Sequence, residues 1–186
     1  MVYIGTLDRL RQLEAVIDGF REVVAKRPLA RLVLIGSGSG EPDLRKRAQE
    51  LGIGDFVLFI PRMPREEIVS YLQEARIGLS LVPPHPLFVI ASPTKLFEYM
   101  AVGLPTLANR ELKEQERIIT ESKAGALCSY TPDDIAKHLL GMLGSSAVLE
   151  QRGRSGRAYA QEHCSYRSLA AGLLQRYTAL LEKHQP

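Results

Sequence analysis

Two short segments, far apart in the chain, gather the side chains able to hold a phosphate group. The first, Gly5, Thr6, Asp8, Arg9 and Arg11, puts a permissive turn beside a hydroxyl and two guanidiniums. The second is Ser92-Pro93-Thr94-Lys95, followed by Glu98. Ser92 before Pro93 marks a helix N-terminus, with a hydroxyl at the cap and proline at the first helical position. A helix starting there points free amides and its positive dipole end outward, which favours phosphate. Thr94 adds a hydroxyl and Lys95 a point charge. Glu98 shares their helix face, where a carboxylate one turn in could accept hydrogen bonds from ribose hydroxyls. The same spacing also describes an ordinary capped helix with a Lys95–Glu98 surface pair, and spacing alone leaves both readings open.

What would bring the two segments together is the order of the elements around them. Apolar runs predict strands over Val2–Ile4, Arg31–Ile35, Phe56–Ile60, Ile77–Leu81, Pro105–Ala108 and Ala126–Ser129. They lack polar alternation, as strands covered on both faces do. Between them lie helical stripes: Leu13, Val16, Ile17, Phe20 and Val24; Ile68, Leu72 and Ala75; Ile135, Leu139, Leu140 and Leu143. Thr131-Pro132, with Asp134 in capping-box position, starts one helix, and Gly52, Gly103 and Gly125 stand where helices should end. After Ser146 two helical segments follow, split near His163-Cys164-Ser165, with a polar tail over Glu182–Pro186. The expected fold is α/β: a Rossmann-like, doubly wound parallel sheet of six strands, helices on both faces, and C-terminal helices. Residues 1–186 read as one domain. Under the order 3-2-1-4-5-6, which is assumed, the first and fourth strands flank the crevice where such sheets bind ligands. Both polar segments follow those strands, the second through a long proline-stiffened loop, Val82–Ala91.

Other candidates read as structural. The run Gly36-Ser37-Gly38-Ser39-Gly40 follows the second strand, lacks the third glycine of a dinucleotide fingerprint, and suits a tight bend with close helix approach. His85 reads as a solvated loop histidine. Cys164 beside His163 resembles a nucleophile pair, but neighbours on an extended chain point apart. Glu111, Glu114, Glu116 and Glu121 read as a solvated helix face, Asp133-Asp134 as capping, and Arg152, Arg154 and Arg157 as helix surface.

Composition removes whole classes. Net charge is +3 with 24% charged residues, and there is no Trp. That is too little charge and too few aromatics for a nucleic-acid surface. No stretch approaches the ~18 apolar residues of a membrane span. Cys128 and Cys164 lack metal spacing, and a reduced, cytoplasmic protein fits them. Met1 opens almost directly onto a strand, which suggests a domain excised from a longer protein.

The segment Ser92-Pro93-Thr94-Lys95-Leu96-Phe97-Glu98-Tyr99-Met100-Ala101-Val102-Gly103-Leu104-Pro105-Thr106 resembles the donor-site motif of retaining GT-B glycosyltransferases of group 1, the glycogen synthase-like family. Tyr3–Leu7, Leu32–Gly36, Asp55–Phe59 with Glu66, Glu67, Ile68 and Tyr71, Gly125-Ala126 and the Arg154–Tyr166 stretch match in order, so the resemblance covers nearly the whole chain. It implies one half of a GT-B fold, the C-terminal donor-binding domain, without its N-terminal acceptor domain. Glu98 would hold the ribose, Ser92–Lys95 would cradle the diphosphate, and Pro61 and Arg62 would border the base. Gly5, Thr6 and Arg9 would lie along the diphosphate. Arg11 and Lys95 would stabilise the departing group, without a metal or other cofactor. The family often has an arginine after the first glycine, where this chain has Thr6, unless Arg9 substitutes. Its sugar-contacting acid is replaced by Ile90. The implied partners are a nucleotide sugar, the N-terminal domain and a glycan or lipid acceptor, with membrane contact only through that other domain. A sugar-nucleotide epimerase-like enzyme and a catalytically silent binding module are the alternative readings.

Overall fold

Short apolar runs alternating with amphipathic ones fold as that pattern requires. The computed structural model describes residues 1–88, 90, 92 and 94–183. Six strands, β1 (Val2–Ile4), β2 (Leu32–Ile35), β3 (Val57–Ile60), β4 (Gly78–Ser80), β5 (Thr106–Asn109) and β6 (Gly125–Cys128), form one sheet in the order β3-β2-β1-β4-β5-β6. Every pairing is parallel. The assumed strand order is therefore the observed one. The helices are α1 (Glu14–Lys26), α2 (Glu41–Glu50), α3 (Arg65–Glu74), α4 (Thr94–Ala101), α5 (Lys113–Ser122), α6 (Pro132–Met142), α7 (Ser146–Tyr159) and α8 (Tyr166–Lys183).

Side chains alternate across each strand, so the sheet feeds a core on either face. Tyr3, Leu32, Leu34, Leu79 and Leu107 join the core built with α1, α2 and α6. Val2 and Ile35 join Leu72 of α3 and Tyr99 of α4, while Ala108 packs with α4 and α5. The α1 stripe predicted from Leu13 to Val24 is buried along its length. This is the Rossmann-like architecture expected.

Local departures have local causes. Pro105 has no amide for the ladder, so β5 starts at Thr106. Phe56 closes a 3-10 turn, Gly54–Phe56, instead of opening β3. Gly52 and Gly103 do follow helix ends with positive φ, at +69° and +74°. Gly125 does not: Lys123 takes the left-handed position after α5, with φ at +54°, and Gly125 opens β6, where a Cβ would strike the Thr106 carbonyl. The Thr131–Asp134 capping box is also not formed. Thr131 makes no side-chain cap, and Asp134 Oδ2 accepts from the Ser129 amide at 2.7 Å. That bond holds the carboxyl below its usual range. His163 and Cys164 lie in a π turn, Ala160–Cys164, rather than on extended chain. Residues 184–186, part of the expected polar tail, fall outside the described residues. Along α8, Leu169, Leu173, Leu174, Tyr177 and Leu181 are exposed. Among the described residues no helix is long and apolar enough to cross a membrane.

Candidate functional site

The site begins where the sheet parts. β1 and β4 pair in register at Val2 and Gly78. Further along, the Ile4 amide donates to the Tyr99 hydroxyl at 3.0 Å, and that hydroxyl donates to the Leu79 carbonyl at 3.4 Å. A phenol from α4 thus satisfies backbone groups of both strands at the bottom of the crevice, where water is excluded. Burial pushes its pKa far up, so it stays a neutral donor. Gly78 makes this fit, because a Cβ there would lie 2.6 Å from the Tyr99 ring.

Above this floor the loop after β1 folds back on itself. Gly5 takes φ of +151°, and the Tyr3 hydroxyl donates to the Thr6 carbonyl at 3.3 Å. Arg9–Arg11 form a 3-10 turn, closed by the Arg11 amide on the Asp8 carbonyl at 2.8 Å and followed by Gln12 at φ of +46°. The turn sends Arg11 back over the loop. Its Nε donates to Thr6 Oγ1 at 3.2 Å, and its guanidinium lies 4.5 Å from the Phe88 ring centroid. The loop rests on the glycine run after β2: Leu7 donates to the Ser37 carbonyl, Gly40 to the Leu7 carbonyl, and Ser39 to Asp8 Oδ1. At Gly38 and Gly40 a Cβ would come within 2.7 Å of the Leu7–Asp8 main chain, so the structural reading of that run stands.

Lys95 comes to the same place from α4. Its Nζ lies 3.8 Å from the Tyr3 ring centroid, and a Cβ on Gly5 would sit 3.2 Å from it. Burial, then the Arg11 charge, pulls the ammonium pKa down to about 7, with Glu98 opposing. Lys95 and Glu98 do not form the surface pair that spacing allowed. Glu98 Oε1 instead accepts from Arg65 Nη2 at 2.9 Å, across the crevice from the start of α3. Two cavities meet at that ion pair. One, of about 790 Å³, is lined by Gly5, Thr6, Ser37, Arg62, Arg65 and Glu98. The other, of about 1010 Å³, runs past Ser92, Thr94, Glu98, Arg117 and Tyr166.

The structure therefore brings together Gly5, Thr6, Arg11, Arg62, Lys95 and Glu98. A crevice with two cations over a glycine turn and a carboxylate to one side can hold a phosphate and a diol. An anion at Lys95 would restore the lysine's charge, since an opposite charge nearby favours the charged form. Ser92 and Thr94 line the neighbouring groove with Glu98, and Pro93 lies outside the described residues. Arg9 does not join the cluster. Its Nε pairs with Asp43 Oδ2 at 2.7 Å, because the 3-10 turn points consecutive side chains in different directions and α2 offers a carboxylate there. It therefore does not replace the cation missing at Thr6. Ile90 is exposed. His85 is a loop-internal acceptor, taking the Leu87 amide on Nδ1 at 3.2 Å. The Cys164 thiol is pushed up by burial, and the His163 ring packs tilted against Tyr159, with centroids 4.5 Å apart, so the two are no nucleophile pair.

Sequence reasoning missed the polar residues behind the crevice. Asn109, Gln115 and Ser80 are fully buried and bonded to one another. Glu111, expected on a solvated face, accepts from the Tyr130 amide and from Asn109. The only hint was Asn109 itself, a polar residue closing an apolar strand at its carboxyl end.

Comparison with known proteins bears on the family and the fold. The family described as Glycosyl transferases group 1 matches residues 1–159. A D-inositol 3-phosphate glycosyltransferase of Segniliparus rotundus is 25% identical over 186 residues, covering 97% of this chain and 40% of that protein. The chain thus spans about two fifths of that relative's length. The C-terminal domain of a group 1 glycosyl transferase from Francisella tularensis superposes with a TM-score of 0.75 at 16% identity, covering 89% of this chain and 86% of that one. Anabaena HepE, in complex with UDP and glucose, gives a TM-score of 0.80 at 12% identity over 96% of this chain and 47% of its own. The fold, the crevice at the strand split and the match over most of the sequence converge on one conclusion: the chain belongs to the group 1 glycosyl transferases.

Proposed function

We propose that the crevice holds the nucleoside diphosphate of a sugar donor, and that this chain is the donor-binding half of a two-domain GT-B glycosyltransferase. The observation that carries the reading is the convergence of Arg11 and Lys95 over Gly5. Burial, then the Arg11 charge, depresses the Lys95 ammonium to about 7, and a nearby anion would offset both. A diphosphate supplies that anion. Glu98 lies beside it for the ribose, and Arg62 borders the base. The UDP complex of HepE, a protein of the same fold, supports the assignment.

Departure of the nucleoside diphosphate develops negative charge on its distal phosphate, and preorganised cations there lower the barrier. Arg11 and Lys95 take that role here, and no metal is invoked. Thr6, where the family often has an arginine, orients Arg11 through its hydroxyl instead. Transfer to a glycan or lipid acceptor, with retention, needs the acceptor domain, for which the exposed apolar side chains of α8 offer a surface. The exposed Ile90 leaves donor-sugar identity to other contacts and keeps a silent binding module as the second reading.

Calorimetric titration of the chain with UDP, GDP, ADP and their sugars tests this. Binding of one diphosphate, weakened by Lys95→Ala and Glu98→Ala, is the expected result. Binding of none, with both variants indistinguishable from the parent, refutes the donor site.

A further inference from the structure

Behind the crevice a line of hydrogen bonds joins the loop after β1 to the loop after β4, and its side chains lie outside the lining of both cavities that meet at Glu98. Tyr130 Oη lies 2.9 Å from the Arg11 carbonyl and 3.1 Å from the Gln12 carbonyl, at the left-handed end of the 3-10 turn. The Tyr130 amide donates to Glu111 Oε1 at 2.9 Å. Glu111 Oε2 accepts from Asn109 Nδ2 at 2.8 Å. Asn109 grips the loop after β4 on both sides: its Oδ1 accepts from the Val82 amide at 2.8 Å and its Nδ2 donates to the Val82 carbonyl at 2.9 Å. Gln115 backs Asn109 by donating to its carbonyl at 3.2 Å, and it accepts from Ser80.

We infer that Glu111 is a positioning residue that locks the loop carrying Arg11 to the loop leading to Lys95, through Tyr130 on one side and Asn109 on the other. The need for a lock follows from the geometry. Gln12 adopts a left-handed conformation without being glycine, which costs energy unless something holds it. The two loops belong to strands that separate at the crevice, so their backbone pairing cannot fix the distance between Arg11 and Lys95. A carboxylate with two acceptor oxygens can serve both sides at once. A diphosphate contacting both cations gains from having their spacing set beforehand.

The inference rests on the nucleotide reading for its consequence, but the lock itself is testable without ligand. Amide hydrogen exchange on the free protein is compared between the parent, Glu111→Ala and Tyr130→Phe. Faster exchange at both 9–13 and 80–82 in Glu111→Ala, and at 9–13 alone in Tyr130→Phe, is expected. Change confined to 128–131 in both variants would overturn the lock, whatever binds. The second arm is a double-mutant cycle on nucleoside diphosphate affinity. Tyr130→Phe should weaken binding roughly five- to tenfold, the scale of one lost hydrogen bond. That loss should vanish in an Arg11→Ala background, because Tyr130 acts through Arg11. An equal loss in both backgrounds marks a merely structural tyrosine and refutes the positioning role. Absence of nucleotide binding by the parent chain removes the donor-site reading, and the exchange arm then decides the lock by itself.

Discussion

Gly5 and Gly36 close neighbouring parallel strands one residue beyond the paired Ile4 and Ile35, and they share a backbone conformation, with φ of +151° and +150°. What surrounds them differs. A Cβ on Gly36 would run into the Gly5 carbonyl, a piece of main chain that cannot retreat. A Cβ on Gly5 would meet the Tyr3 hydroxyl at 3.1 Å and the Lys95 ammonium at 3.2 Å, the free ends of side chains that can. The same residue in the same conformation therefore does two jobs: Gly36 lets one loop lie on another, and Gly5 leaves room for a cation. The chemistry of a glycine turn is set by its neighbour across the sheet.

The sharpest way to break this comparison is Gly36→Ala. Backbone collision and disfavoured φ together should cost about 3 kcal/mol or more of unfolding free energy in urea. A loss under about 1 kcal/mol would mean the two loops can separate freely. Lys95→Ala should do the reverse, leaving the fold intact while weakening nucleoside diphosphate binding by roughly ten- to a hundredfold, as loss of a charge-assisted contact does. Unchanged affinity by calorimetry would take Lys95 out of the site.

A pH titration of that affinity is the next test. Below about pH 7 the free lysine is already an ammonium, so affinity sits on a plateau. Above it, binding must take up a proton, and affinity should fall by up to about tenfold per pH unit until the lysine's pKa in the complex is reached. Lys95→Ala should lack this fall, which separates it from ionisation of the phosphate. The smallest effect expected is that of Asp8→Ala. It removes the acceptor for the Ser39 amide and should cost about 1 kcal/mol of stability with no change in affinity. Lost affinity there would show that the two turns are not separable after all.

Much of the fold was legible, because strand and helix periods are properties of consecutive residues. All six strands stand within two residues of where their apolar runs predicted them, and the α1 stripe is buried as drawn. Errors fell where a local signal had a distant competitor. Gly125 looked like a helix terminator, but β5 needs it against the Thr106 carbonyl. Asp134 looked like a capping partner for Thr131, but the Ser129 amide was nearer at hand.

For the site, sequence alone determined the inventory. Gly5, Thr6, Arg11, Lys95 and Glu98 are of the right types, attached to strands that a doubly wound sheet brings side by side. It could not determine which of those groups converge, because that depends on side-chain direction and on partners remote in the chain. Arg9 and Arg11 are two residues apart, yet one turns to Asp43 and the other to Thr6. Nor could it show that Glu98 meets Arg65, or that Glu111 belongs to a network behind the crevice rather than to a solvated face. Each of these rests on a distance between segments that only the packing of the sheet and its helices sets.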